Sequence, residues 1–168
     1  MGSMKVATRE QRLAAIEHVV SEYTSLLSAA HYSLFGAAPW RMHAEKALLL
    51  HYRNMDDFLL GDGEGDRIVA TDYLEDGSAR DWDLPVWVSD WREPVRTHLD
   101  RLGYFRTEEI PWRPHQVIPK LDAEARIAWK QFYDALADQH YRAEFVRQVE
   151  ARRRELVPFH VRVELLYV

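Results

Sequence analysis

Apolar residues in the first part of the chain recur at steps of three and four, the spacing of one face of an α-helix. Thr8 followed by Gln11 has the pattern of a capping box, in which each side chain bonds the other residue's backbone N–H. We therefore predict an amphipathic helix of about six turns after Thr8. Its apolar positions are Leu13, Ile16, Val19, Val20, Tyr23, Leu26, Leu27 and Ala30.

A second helix is predicted from about Met42 to Leu60. Residues 36–40 are typical of a loop, and the glycines that begin at Gly61 end the helix. On a helical wheel His51 lies near the centre of an apolar face. That face comprises Ala44, Ala47, Leu48, Met55, Phe58 and Leu59. Further leucines make the helix apolar nearly all round, so we expect it to be the central helix of a bundle, with the imidazole pointing inward.

The rest of the chain predicts further helices and an extended tail. Residues 67–88 hold short apolar pieces, and a third helix is expected from Ser89 or Asp90 to Gly103. A fourth helical region begins between Pro119 and Asp122 and ends at Pro158. It is either one long helix or two helices joined near Asp138. Residues 161–165 alternate like a strand and suggest an extended tail or a dimer contact.

These elements predict an all-α fold, with four to five helices packed as a single-domain bundle and a short extended C-terminal tail. Residues 4–168 would form this helical domain, and residues 1–3 resemble a vector-derived tail. The 168-residue length suits one domain. No Cys is present, which excludes disulfides, thiolate metal sites and a cysteine nucleophile.

Charge and hydropathy narrow the class of partner. The net charge of −5 argues against a protein held to nucleic acid by a general positive field. No apolar stretch reaches the length of about 18 residues that a membrane span needs. We therefore expect no membrane partner, and the absence of Cys favours a cytoplasmic location.

The strongest candidate for chemistry is a polar centre on the second helix, formed by His51, Arg53, Asn54 and Asp57. Buried polar groups need partners, so these residues should organise a polar cluster among the helices. His51 is either a histidine that transfers protons or binds a ligand, or a neutral core histidine bonded to a carboxylate or carbonyl group. The second interpretation is favoured, because a single sequence gives no further support for chemistry.

The run Leu-Leu-Leu-His-Tyr-Arg-Asn-Met-Asp-Asp-Phe-Leu (residues 48–59) resembles the signature helix of a group of uncharacterised bacterial helical proteins. Asp72-Tyr73, Trp91 and Lys120 loosely follow the pattern found downstream in that group. The Arg-Asn pair also distantly resembles HEPN domains, helical bundles that include ribonucleases. The resemblance implies that Arg53 and a following His would act on RNA phosphodiesters, usually across a dimer.

The sequence departs from the HEPN pattern at the histidine. Phe58 and Leu59 occupy the positions where it should follow Arg53, and His51 lies on the wrong side. The resemblance therefore implies a non-catalytic binding or partner module, possible settings being bacterial defence or a toxin–antitoxin pair. Its partner would be a protein or RNA, and the chain itself would form a homodimer.

Two other hypotheses stay open. In the first, a helical-bundle enzyme or binding protein uses His51 and nearby carboxylates on a metal or small molecule. In the second, the protein is purely structural and oligomeric.

Known metal and cofactor motifs give no support for a bound group. The acidic turn at residues 62–66 lacks the later Gly and Glu of a calcium loop, so a solvated turn is favoured. His140 and Glu144 lie one turn apart, which is more often a surface contact than a metal site. Phosphate-binding loops, dinucleotide-binding turns and hydrolase elbows are absent from the sequence. We therefore predict no metal and no cofactor.

Overall fold

The computed structural model describes residues 7–61, 67–74 and 114–156 of the chain. These residues form four α-helices and one short 3-10 helix, with no strand among them, which confirms the predicted all-α fold. The helices are α1 (Arg9–Phe35), α2 (Ala38–Leu60), α3 (Pro114–Ala135) and α4 (Gln139–Leu156), and the 3-10 helix is Ala70–Tyr73. The predicted third helix near residues 90–103 and the C-terminal tail lie outside the described residues.

Helix α1 begins with the predicted capping box. The Gln11 N–H donates to Thr8 Oγ1 over 3.2 Å, and the Thr8 N–H donates to Gln11 Oε1 over 2.9 Å. At the other end, the Gly36 N–H bonds the Tyr32 carbonyl oxygen over 2.9 Å and closes the last turn. Both helix termini therefore have partners for groups that the helix itself leaves unpaired.

Helix α2 starts four residues before the predicted Met42, so residues 38–40 are helical and the predicted loop shrinks to Gly36 and Ala37. Pro39 lies in the first turn, where its missing N–H costs no helical hydrogen bond. The fourth region is two helices, because α3 ends at Ala135 and α4 begins at Gln139. Asp138 caps α4: its Oδ1 accepts from the His140 N–H over 2.7 Å.

The core is rich in aromatic side chains contributed by several elements. Tyr23 of α1 stacks on Trp129 of α3, with ring centroids 4.2 Å apart and planes only 4° apart. Phe132 of α3 meets Phe58 of α2 edge to face at 5.2 Å and Phe145 of α4 at 5.4 Å. Such pairs add about 0.5–1.5 kcal/mol each beyond the burial of their area. They connect all four helices into one aromatic centre.

The expectation that α2 is the central helix is wrong for the described part of the chain. Helix α1 packs extensively on α2, α3 and α4, whereas α2 packs mainly on α1 and makes few contacts with α3. The outer side of α2 meets solvent, where Lys46, Leu50 and Arg53 are exposed. Among the described helices, α1 is thus the one around which the others pack.

Candidate functional site: a shared carboxylate between the first two helices

Glu22 of α1 joins two of the predicted site residues. Its Oε2 lies 2.7 Å from Nδ1 of His51, and the same oxygen accepts a hydrogen bond from Nδ2 of Asn54 over 2.9 Å. His51 and Asn54 are three residues apart on α2, so their side chains project to the same side. The three side chains form a polar link between α1 and α2, which we call the Glu22 cluster.

The Glu22 cluster sits at the edge of the helix interface. The side chain of His51 is 23% exposed and that of Glu22 is 34% exposed, so both retain contact with water. The buried face of α2 is rotated from the predicted one, because Leu49 and Tyr52 are buried in place of Ala44 and His51. The imidazole of His51 therefore points toward α1 at the edge of the interface and not into the centre of the core.

The Glu22 carboxylate determines which ring nitrogen of His51 carries a hydrogen. An ionised carboxylate only accepts hydrogen bonds, so Nδ1 of His51 must donate to Glu22. In the neutral ring Nε2 then carries the lone pair, and in the protonated ring the contact becomes an ion pair. Carboxylate–histidine pairs of this kind orient imidazoles that act as bases or as metal ligands.

The other two predicted site residues lie outside the Glu22 cluster. Arg53 is exposed on the outer side of α2. Asp57 is half-buried, with Oδ2 4.0 Å from Nη1 of Arg67. The structure thus brings His51 and Asn54 together and presents Arg53 to solvent.

Sequence reasoning missed Glu22, although it anticipated a carboxylate partner for a core histidine. Glu22 precedes Tyr23 on α1, beside the apolar positions of that helix, and is the last acidic residue before a long stretch without any. An acidic side chain beside a buried stripe is a signal for a polar contact at the helix interface. Nothing in the local spacing identifies His51, 29 residues away, as its partner.

A second group of hydrogen bonds holds the 3-10 helix against α1. The Tyr73 hydroxyl donates to the Arg12 carbonyl oxygen over 2.7 Å, and the Arg12 guanidinium donates to the Asp72 carbonyl oxygen over 2.5 Å. The guanidinium also lies 5.6 Å from the centre of the Tyr141 ring. These bonds use backbone acceptors and a buried ring, so they position the 3-10 helix and leave little scope for a ligand.

The described residues contain no group of three or more His, Asp or Glu side chains that could hold a metal ion. Glu144 bonds Arg147 over 2.8 and 2.5 Å and Gln148 over 2.9 Å. Those bonds make Glu144 part of a surface network with these residues, and the hydrogen bond from Arg147 lowers the pKa of the Glu144 carboxyl group. The acidic turn at residues 62–66 lies outside the described residues.

No family model, curated protein or solved structure matches the chain. Among the described helices, none combines the length and apolar character needed to cross a bilayer.

Proposed function

We propose that this chain is a bacterial HEPN-like helical module that binds a partner and does not cleave RNA. The partner is a protein or RNA, the setting is cytoplasmic defence or a toxin–antitoxin pair, and the chain forms a homodimer. The observation that carries the proposal is the Glu22 cluster: Glu22 holds His51 and Asn54 against α1, while Arg53 is exposed on the outer side of the same helix. An exposed Arg on a fixed helix surface is suited to binding anionic or polar groups.

The positions after Arg53 support the absence of cleavage. A HEPN-type ribonuclease would need a His there, and Phe58 and Leu59 are both buried in the helix interface. His51, the nearest histidine in sequence, precedes Arg53 and lies at the edge of the helix interface, with Nδ1 2.7 Å from Oε2 of Glu22. Acid–base chemistry on a phosphodiester needs groups within hydrogen-bond reach of the substrate, which side chains at the two buried positions do not provide.

The proposal is tested with a fluorescently labelled single-stranded RNA and purified full-length chain. Gel analysis should show intact RNA after incubation, and anisotropy should show whether RNA binds. If RNA is the partner, Arg53→Ala should weaken binding about tenfold, whereas Lys46→Ala on the same exposed side of α2 should have a smaller effect. RNA cleavage that is lost in Arg53→Ala, with the helical circular dichroism unchanged, would overturn the non-catalytic assignment.

A second candidate function is a metal- or small-molecule-binding protein that uses His51. The 2.7 Å contact between Glu22 and Nδ1 favours it, because carboxylates bonded in this way orient metal-ligating and basic imidazoles. Elemental analysis of the purified protein tests this candidate. A stoichiometric transition metal that is lost in His51→Ala and retained in His140→Ala would favour it over the binding module.

A further inference from the structure

The turn between α1 and α2 carries an unusual concentration of exposed apolar side chains. Tyr32, Phe35, Trp40 and Met42 are 37%, 75%, 69% and 56% exposed, and we call this group the hairpin tip. The other large apolar side chains exposed in the described residues are Leu50, Ile127 and Val146, which lie on three different helices. Scattered apolar residues are ordinary on a protein surface, but several at one place indicate a binding surface.

The hairpin tip also lies in a stretch of unusual charge. The chain has 27 acidic residues, yet residues 23–44 contain no Asp or Glu. Arg41 and His43 are exposed within this stretch. The next acidic residue, Glu45, is only partly exposed; burial raises the pKa of its carboxyl group, and Arg41 opposes that rise. A carboxylate of a partner would thus be attracted by Arg41 at the hairpin tip and would experience little repulsion from acidic residues there.

The backbone of the hairpin tip is held in place before any partner arrives. Only Gly36 and Ala37 connect the two helices, and the Gly36 N–H is bonded to the Tyr32 carbonyl oxygen. The His31 ring packs against Phe35 and Tyr32, with centroids 5.1 and 5.7 Å apart. A surface that is already ordered loses less conformational entropy on binding than a mobile loop does.

The number of cations distinguishes between possible occupants. Arg41 is the one Lys or Arg in residues 23–45. Attraction to an anionic membrane is worth about 1 kcal/mol per Lys or Arg, and lipid-binding segments gather several. Nucleic acids likewise need several phosphate contacts for useful affinity. A single Arg among Trp, Phe, Tyr and Met is instead the composition enriched at protein–protein interfaces.

We propose that the hairpin tip is a docking site for a segment of a partner protein that carries an apolar anchor beside acidic residues. The anchor packs against Phe35 and Trp40, and the carboxylates face Arg41. A second copy that meets this surface with its own hairpin tip is a poorer occupant on charge, because residues 23–44 bring no Asp or Glu to face Arg41. His51 lies eleven residues beyond Trp40, about 16 Å along the helix axis, so this surface is separate from the Glu22 cluster.

The test is selection of peptides from a displayed random library on the immobilised full-length chain. The selected peptides should combine acidic residues with an aromatic or aliphatic anchor. Trp40→Ser, and separately Arg41→Glu, should weaken their binding at least about tenfold. The controls Ile127→Ser and Arg154→Glu change exposed residues of the same types elsewhere, and peptide binding to them should match that of the original chain.

Four outcomes would overturn the proposal. In the first, the original chain enriches no peptides beyond those that the Trp40→Ser variant also enriches. In the second, the selected peptides bind the Trp40→Ser variant as tightly as they bind the original chain. The third is a dimer in sedimentation that Trp40→Ser converts to a monomer, because a second copy would then be the occupant. The fourth is co-sedimentation with phosphatidylglycerol vesicles that Trp40→Ser abolishes. Trp40 is exposed, so circular dichroism should show both tip variants folded, and the Arg53→Ala result does not bear on any of these readouts.

Discussion

Nδ1 of His51 lies 2.7 Å from Oε2 of Glu22, and the two residues are 29 positions apart on neighbouring helices. The same carboxylate oxygen receives the Asn54 amide, so one side chain of α1 holds two side chains of α2. The contact fixes the orientation of the imidazole in both its protonation states. The rotation of α2 about its own axis, which buries Leu49 and Tyr52, places both donors within reach of that one oxygen.

Removing the carboxylate should destabilise the fold modestly. We expect Glu22→Ala to lower the free energy of unfolding by about 1 kcal/mol, since two donors lose their acceptor at a partly solvated site. Urea denaturation followed by circular dichroism measures the change. Glu17→Ala replaces an exposed acidic residue of the same helix and should change stability by less than about 0.5 kcal/mol.

A double-mutant cycle isolates the contact itself. We expect the effects of Glu22→Ala and His51→Ala to be less than additive, with a coupling energy of about 0.5–1 kcal/mol. Strictly additive effects would mean that the coupling energy between the two side chains is zero. The contact between Glu22 and His51 would then make no contribution to stability.

Alkaline pH should destabilise the fold through two buried tyrosines. Burial raises the pKa of both Tyr23 and Tyr73 above the ordinary range; Asp122 adds to the rise at Tyr23 while Arg126 opposes it. Because the folded pKa lies above the unfolded one, the stabilisation is complete below about pH 10 and is lost as the pH rises further. Above about pH 10, each tyrosine should lower the free energy of unfolding by about 1.4 kcal/mol for each further pH unit.

The measurement is urea denaturation at several pH values from about 8 to about 11. Tyr23→Phe keeps the ring that stacks on Trp129. It should reduce the slope of the free energy of unfolding against pH above about pH 10 by the part that one tyrosine supplies. An unchanged slope in Tyr23→Phe would contradict the assignment. Tyr73→Phe should reduce the slope too, but it also loses the hydrogen bond to Arg12 and about 1 kcal/mol of stability at neutral pH.

Helix α2 offers a place to add stability. Its N-cap residue, Ala37, makes no capping hydrogen bond through its side chain. Ala37→Ser should supply an oxygen for the open N–H groups of the first turn and raise the free energy of unfolding by about 1 kcal/mol. Thermal denaturation measures the gain. Ala38→Ser, one residue inside the helix, should give no such gain, and equal gains in both variants would rule out capping as the cause.

The aromatic centre should dominate the stability of the bundle. Phe132 is fully buried and contacts Phe58 and Phe145 edge to face. Phe132→Ala should lower the free energy of unfolding by about 3–5 kcal/mol through lost burial and the cavity left behind. Ile127→Ala on the exposed side of the same helix should cost less than about 1 kcal/mol. Comparable losses at the two positions would argue against this assignment of the core.

Local signals in the sequence were sufficient for the start of α1 and for the helical class. Thr8 and Gln11 are three residues apart, so their reciprocal bonds depend on nothing outside that turn. The predicted start of α2 is four residues too late because the Gly and Pro of residues 36–40 are typical of loops. Pro39 is compatible with a first helical turn, and the structure uses it there.

Tertiary contacts determine the features of the structure that local sequence signals do not predict. Periodicity identified an apolar face on α2, but that face is rotated because α1 buries Tyr52 and leaves His51 at the edge. The Glu22 partner of His51 comes from packing between helices, and a single sequence does not encode that pairing in any local spacing. The role of α1 as the central helix likewise emerges only from the way in which the four helices meet.

The two-residue connection at Gly36 and Ala37 has a consequence for how the chain acquires its structure. It brings two long helices together with almost no loop to close, so their contacts form at little entropic cost. Contacts between residues close in sequence form faster than those that must wait for distant segments. We expect α1 and α2 to associate early, as a nascent pair, and to provide the surface on which α3 and α4 later condense.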